Sequence, residues 1–116
     1  MTDQNQDEDE RAFFDRADSF IRLANDHCDG VEAGRVSASF MFALARFNAF
    51  VCAGTCKSAD EMKGDRKRAL DYFTAQFRKM LGDNFDDYVE HFDQYTSPDP
   101  TPDDPGSNGD AGEASE

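Results

Sequence analysis

Proline is missing from the first 97 residues; all four prolines lie beyond Thr96. Histidine occurs only twice, at His27 and His91, far apart in the chain. Neither a Gly-rich phosphate loop nor a G-x-S-x-G turn is present, so the usual sequence signs of nucleotide binding and serine hydrolysis are lacking. Long apolar runs are lacking too. In the greasiest stretch, Val36 to Ala53, the longest unbroken run is Phe40 to Ala45, far short of the ~20 residues a membrane span needs. Cysteine is sparse and odd in number, at three. With no basic n-region and no apolar h-region at the start, reduced thiols and a cytoplasmic location are expected.

Basic residues are absent from both ends. Residues 1–10 carry five acids and no base, and residues 96–116 carry six acids and no base. The net charge is −13, but residues 11–95 hold 14 acids against 12 bases, or −2. The acidity therefore belongs to the ends. A near-neutral folded part argues against duplex binding, where phosphate neutralisation dominates affinity. It also argues against a fixed carboxylate array that mimics DNA.

What is present is helical periodicity. In Val36 to Ala53, Phe40, Leu44, Phe47 and Val51 form one row at steps of four and three. Met41, Ala45 and Cys52 form a second row, and Phe42, Ala49, Phe50 and Ala53 a third. A helix apolar on all sides is expected at the centre of a bundle or in a membrane. Arg46, mid-stretch, would cost roughly 2.5–3.5 kcal/mol in a bilayer, which favours the bundle. Ser37 is the expected N-cap. Asn48 falls within the arc of Met41, Leu44, Val51 and Cys52, so it is expected to be a buried polar residue that fixes helix register. Arg46 points the other way, flanked at i−4 and i+4 by Phe42 and Phe50. This is either an arginine covering the core edge or a protein-docking surface of Phe42, Arg46 and Phe50.

On the N-terminal side, Phe13, Ala17, Phe20, Ile21, Ala24 and Cys28 make a helical stripe, with a stop at Gly30 or Gly34. Asp18 and Arg22 stand at i,i+4 on its wet face. On the other side, Ser58-Ala-Asp-Glu61 is a capping box. The helix it opens carries Met62, Ala69, Leu70, Phe73, Phe77, Met80 and Leu81, with Gly64 weakening its start and Gly82 ending it. Asp83 then caps a short fourth helix with Phe85, Tyr88, Val89, Phe92 and Tyr95 on one face. Residues 1–9 are expected to be a disordered acidic segment, 10–95 the helical domain, and 96–116 a disordered acidic Pro/Gly-rich tail.

Chemistry-bearing clusters are few. His27, Cys28, Cys52 and Cys56 lack the spacing of a zinc site, and Cys28 and Cys52 read as small core residues. Cys56 lies in a loop, where it is expected to be open to oxidation. Lys63, Arg66, Lys67 and Arg68 form a basic cluster, either a solvated helix face or an anchor for an anionic partner or for the acidic ends. His91 reads as a surface histidine.

Several segments together resemble a known family. They are Arg35 to Ser39 (RVSAS), Ala45 to Phe50 (ARFNAF), Phe20 to Asn25 (FIRLAN), Tyr72 to Leu81 (YFTAQFRKML) and Asp86 to Tyr88 (DDY). They resemble the bacterial family known as domain of unknown function 3144, over residues 11–95. The resemblance implies a small cytoplasmic helical protein and supplies no activity, cofactor or catalytic residue.

These readings converge on an all-α, four-helix bundle-like domain around a central hydrophobic helix. The expected function is a non-enzymatic interaction module, acting by self-association or by binding a protein partner. No cofactor, metal, membrane or small-molecule ligand is expected. The alternative is a small regulator that contacts nucleic acid or another anionic partner through Lys63 to Arg68. An enzyme built around Arg46 and Asn48 would need converging polar groups, and these two lie on opposite sides of one helix.

Overall fold

The computed structural model describes residues 2–97, with side chains from Asn5 onward. The expected tail, apart from Thr96 and Ser97, lies outside the described residues. The fold is all-α. Five helices follow in order: α1 (Thr2–His27), α2 (Ala33–Gly54), α3 (Ala59–Gly64), α4 (Arg66–Glu90) and α5 (Phe92–Thr96). The described residues divide into two compact units, 2–40 and 41–97, with the boundary falling inside α2.

In the first unit, α1 begins at Thr2, so the acidic opening segment expected to lack order is helical. Acids in the first turns of a helix sit favourably in its dipole field, which offsets their low apolar content. The helix ends at His27, and Cys28 N–H donates to Asn25 O at 3.0 Å. The turn comes at Gly30, whose φ of 80° is the one positive value among the described residues. Only glycine adopts this geometry without Cβ strain. Gly34, the other expected stop, lies inside α2. The N-cap expected at Ser37 is also interior, because α2 starts four residues earlier. Glu32 O opens the helix instead, accepting from Arg35 N at 3.0 Å and Val36 N at 3.3 Å.

The second unit holds the rest of α2 and the three later helices. After Gly54, Thr55 Oγ1 donates to Cys52 O at 2.8 Å and Cys56 N to Ala53 O at 3.1 Å, closing the helix. The capping box is present in extended form. Ser58 Oγ accepts from Glu61 N at 3.1 Å, while the Glu61 carboxylate accepts from Lys57 N at 2.8 Å, one residue beyond the serine. The single third helix expected from the pattern is two. It breaks at Gly64 and Asp65, where Asp65 N–H donates to Glu61 O and Met62 O.

Gly82 does not end the next helix, and Asp83 does not cap a fourth. The α4 helix runs unbroken through both. A single interior glycine costs only ~1 kcal/mol. Flanking bonds hold the backbone: Lys79 Nζ reaches Asp83 Oδ2 at 2.8 Å, and Asn84 Nδ2 donates to Met80 O at 2.8 Å. The interruption falls instead at His91 (φ −117°, ψ 35°), with α5 following.

The largest departure from expectation is burial. No described residue of the chain is buried. The α2 helix, expected to be enclosed on most sides, carries no buried residue. Cys28, Cys52 and Cys56 are all half-buried, neither core residues nor freely exposed. The periodicity specified helices with apolar faces, and it could not specify that these faces meet one another.

Candidate functional site

Helical geometry places Phe42, Arg46 and Phe50 on one face of α2, each one turn from the next. Phe42 is 67% exposed and Phe50 70%, the two most open large apolar side chains of the helix. Arg46 is exposed as well, and among the described residues it has no carboxylate partner. The alternative in which Arg46 pairs with a carboxylate at the core edge is therefore not what the described residues contain. Phe50 also lies against Phe47, with ring centroids 6.0 Å apart. The face is a broad aromatic surface carrying one unpaired cation.

Asn48 is half-buried rather than buried. Its arc of Met41, Leu44 and Val51 is itself exposed, so the register-fixing role expected of a core amide has no core to act in. Asp18 and Arg22 form no ion pair among the described residues.

The basic cluster is partly spent on its own helix. Lys67 Nζ lies 2.8 Å from Asp71 Oδ2. Arg68 grips Asp65 with both ends of its fork, Nε to Oδ1 at 2.6 Å and Nη2 to Oδ2 at 2.7 Å. That hydrogen bond holds the Asp65 carboxyl below the usual carboxylate range and raises the Arg68 guanidinium. Lys63 and Arg66 have no ion pair among the described residues. Two of the four cations thus have a carboxylate beside them, and two do not. Arg68 and Asp65 also line an open depression of about 400 Å³ with Thr55, Cys56, Glu61 and Gly64. Its two charged partners, Arg68 and Asp65, are bonded to each other, and Glu61 accepts from Lys57 N.

A second cluster was not legible as a unit in the sequence. At the α4–α5 break, Asp87 serves two partners. Its Oδ1 lies 3.1 Å from His91 Nδ1, and its Oδ2 accepts from Tyr95 Oη at 2.9 Å. The hydrogen bond to Asp87 raises the Tyr95 phenol, with desolvation second. Tyr88 and Tyr95 stack with centroids 4.4 Å apart. The i, i+4, i+8 spacing of Asp87, His91 and Tyr95 was the available signal. A helix break at His91 made the spacing uninformative on its own. Among the described residues no group of three His, Cys, Asp or Glu gathers as a metal site.

Comparison with known families decides the lineage. Residues 13–89 match the family model described as Protein of unknown function (DUF3144). The chain belongs to the DUF3144 family. The match covers most of α1 and all of α2 and α3, and it stops one residue short of the end of α4. It includes the Phe42–Arg46–Phe50 face and the basic cluster, and leaves α5 outside. No curated protein and no solved structure matches the chain. DUF3144 membership carries no activity, so function has to be argued from the surfaces of these helices.

Proposed function

We propose that this protein is a non-enzymatic helical interaction module, whose aromatic face on α2, made by Phe42, Arg46 and Phe50, docks a protein partner. The observation that supports this is the exposure of large apolar side chains on the long helices while no described residue is buried. Contiguous apolar surface of this kind marks interaction sites. Aromatic residues and arginine are the usual energetic anchors of protein interfaces. Arg46 adds direction, because an unpaired guanidinium between two phenylalanines favours a partner that brings a carboxylate among apolar side chains.

Among the described residues one helix, Ala33–Gly54, is long and apolar enough to cross a membrane. Arg46 near its middle favours a protein surface over a bilayer, given the cost of a mid-span arginine.

The test compares the wild-type chain with a Phe42→Asp/Phe50→Asp variant in apolar-dye binding and in crosslinking to partners. Retained helicity by circular dichroism is the condition for the comparison. The reading expects the variant to lose most dye fluorescence and its crosslinked species. Unchanged dye binding and unchanged crosslinks in a variant that remains helical would overturn it.

A further inference from the structure

The opposite face of α2 supports a more specific reading, one that rests on the interaction-module proposal and names one of its partners. Phe40, Leu44, Phe47 and Val51 recur at steps of four, three and four along one unbroken helix. That is the spacing of two alternating core positions of a heptad, which keeps one narrow seam toward a partner helix. Ala33 and Ser37 extend the same row at the start of α2, and Gly54 at its end. The seam lies roughly 130° around the helix from Arg46, at ~100° per residue. The two faces are separate.

We infer that this seam binds the same seam of a second copy of the chain, with the two α2 helices antiparallel.

Three observations select a second copy. The first is area. Phe40, Leu44, Phe47 and Val51 are between 41% and 60% exposed. At roughly 200 Å² for a full large side chain, they offer about 400 Å² along the seam. A standard interface buries ~800 Å² per partner, and the backbone and small residues of the row supply part of the remainder. The second is charge. Between Val36 and Gly54 the only ionisable side chains are Arg46 and the Cys52 thiol. The seam has no charge pattern with which to choose a foreign partner, whereas an isologous contact needs none. In a chain of net charge −13, α2 is also the stretch that a second copy can approach without meeting a carboxylate.

The third observation is the order of side-chain sizes. In the antiparallel register centred between Ala45 and Arg46, Phe40 faces the second copy's Val51 and Leu44 faces its Phe47. Each layer then pairs one phenylalanine with one aliphatic side chain, so all layers have similar volume. A parallel register stacks phenylalanine on phenylalanine and valine on valine, giving alternately crowded and hollow layers. Facing large against small is how cores reach native density without voids. Antiparallel helices also oppose their dipoles favourably.

The experiment uses the full chain in sedimentation equilibrium across micromolar to millimolar concentration. The wild type is expected at twice the 13.0 kDa of the single chain. Leu44→Glu and Phe47→Lys, each alone, are expected to give the single-chain mass with helicity retained. The Leu44→Glu/Phe47→Lys double variant is expected to recover at least ten-fold in association over either single variant. In the antiparallel register each glutamate faces the second copy's lysine. In a parallel register like charges would stack, and no recovery would follow. Arg46→Ser, on the other face, is expected to leave the dimer unchanged. A helical wild-type chain that stays monomeric throughout overturns the inference, as does a dimer indifferent to both seam variants. Flotation of a monomeric wild-type chain with phosphatidylcholine vesicles would overturn it in favour of a bilayer. A monomer that still binds apolar dye through Phe42 and Phe50 sinks the dimer alone, whereas a monomer that binds no dye sinks the interaction-module reading as well.

Discussion

Asp87 is the residue on which the C-terminal corner turns. It holds Tyr95 Oη at 2.9 Å and His91 Nδ1 at 3.1 Å across a break in the helix. The phenol of Tyr95 is raised above its ordinary value, chiefly by that hydrogen bond. Asp87→Asn is therefore expected to shift the Tyr95 midpoint, read by ultraviolet absorbance, back toward the ordinary value of about 10. A raised folded value contributes stability that is fully present below the unfolded value and fades as pH rises through the folded one. The corner should accordingly loosen in alkali. Asp65 behaves in the opposite sense. Its carboxyl is lowered by the Arg68 hydrogen bond, so its contribution is present above the ordinary carboxylate value of about 4 and is lost as pH falls through the lowered one. Ser58, the side-chain cap of α3, is the simplest target. Ser58→Ala should cost about 1 kcal/mol in denaturant unfolding, the usual loss for an N-cap serine.

Among the helices, two glycines should respond in opposite directions. Gly82 lies inside α4 with open space where a Cβ would stand. Gly82→Ala should stabilise the chain by about 1 kcal/mol, the helix-interior difference between the two residues. Gly30 has φ 80°. Gly30→Ala should destabilise by about 1 kcal/mol, because a Cβ is strained there even though nothing crowds it. Matched urea titrations check both signs. This contrast also marks what the sequence could and could not convey. Helices were legible wherever apolar residues recurred at three and four, and the Ser58–Glu61 cap was legible because its bonds are local. Of the glycines, Gly30 and Gly64 mark real interruptions and Gly34 and Gly82 do not. Nothing in the residue type distinguishes them. At Gly82 the Lys79–Asp83 pair spans the glycine, whereas no side-chain ion pair spans Gly34 among the described residues. The Phe42–Arg46–Phe50 face was legible from spacing alone, whereas the pairing of Lys67 and Arg68 with nearby acids reduced a cluster that composition had made look open.

At the level of the whole chain, all-α character was readable but burial was not. Periodicity reports which residues share a face, and it carries no information on whether the covering surface comes from the same chain. The eleven phenylalanines in 116 residues are a surplus of aromatic surface, and Phe42, Phe50 and Phe85 each remain at least 65% exposed. On the proposed reading, a partner that covers this apolar surface adds to the chain's stability by mass action. Thermal unfolding should therefore depend on protein concentration, with a ten-fold dilution lowering Tm by about 4 °C if the covering surface is a second copy. Calorimetry over two decades of concentration checks this.

The exposed turn at Gly30 lies outside both flanking helices, so its backbone is open to nicking. Cleavage after Glu32 by a glutamate-specific protease would divide the formal charge of −13 into −7 on residues 1–32 and −6 on residues 33–116. Two polyanions of nearly equal charge repel most strongly at low ionic strength. The pieces should then run apart on size-exclusion in dilute buffer, and added salt should lessen the force driving them apart.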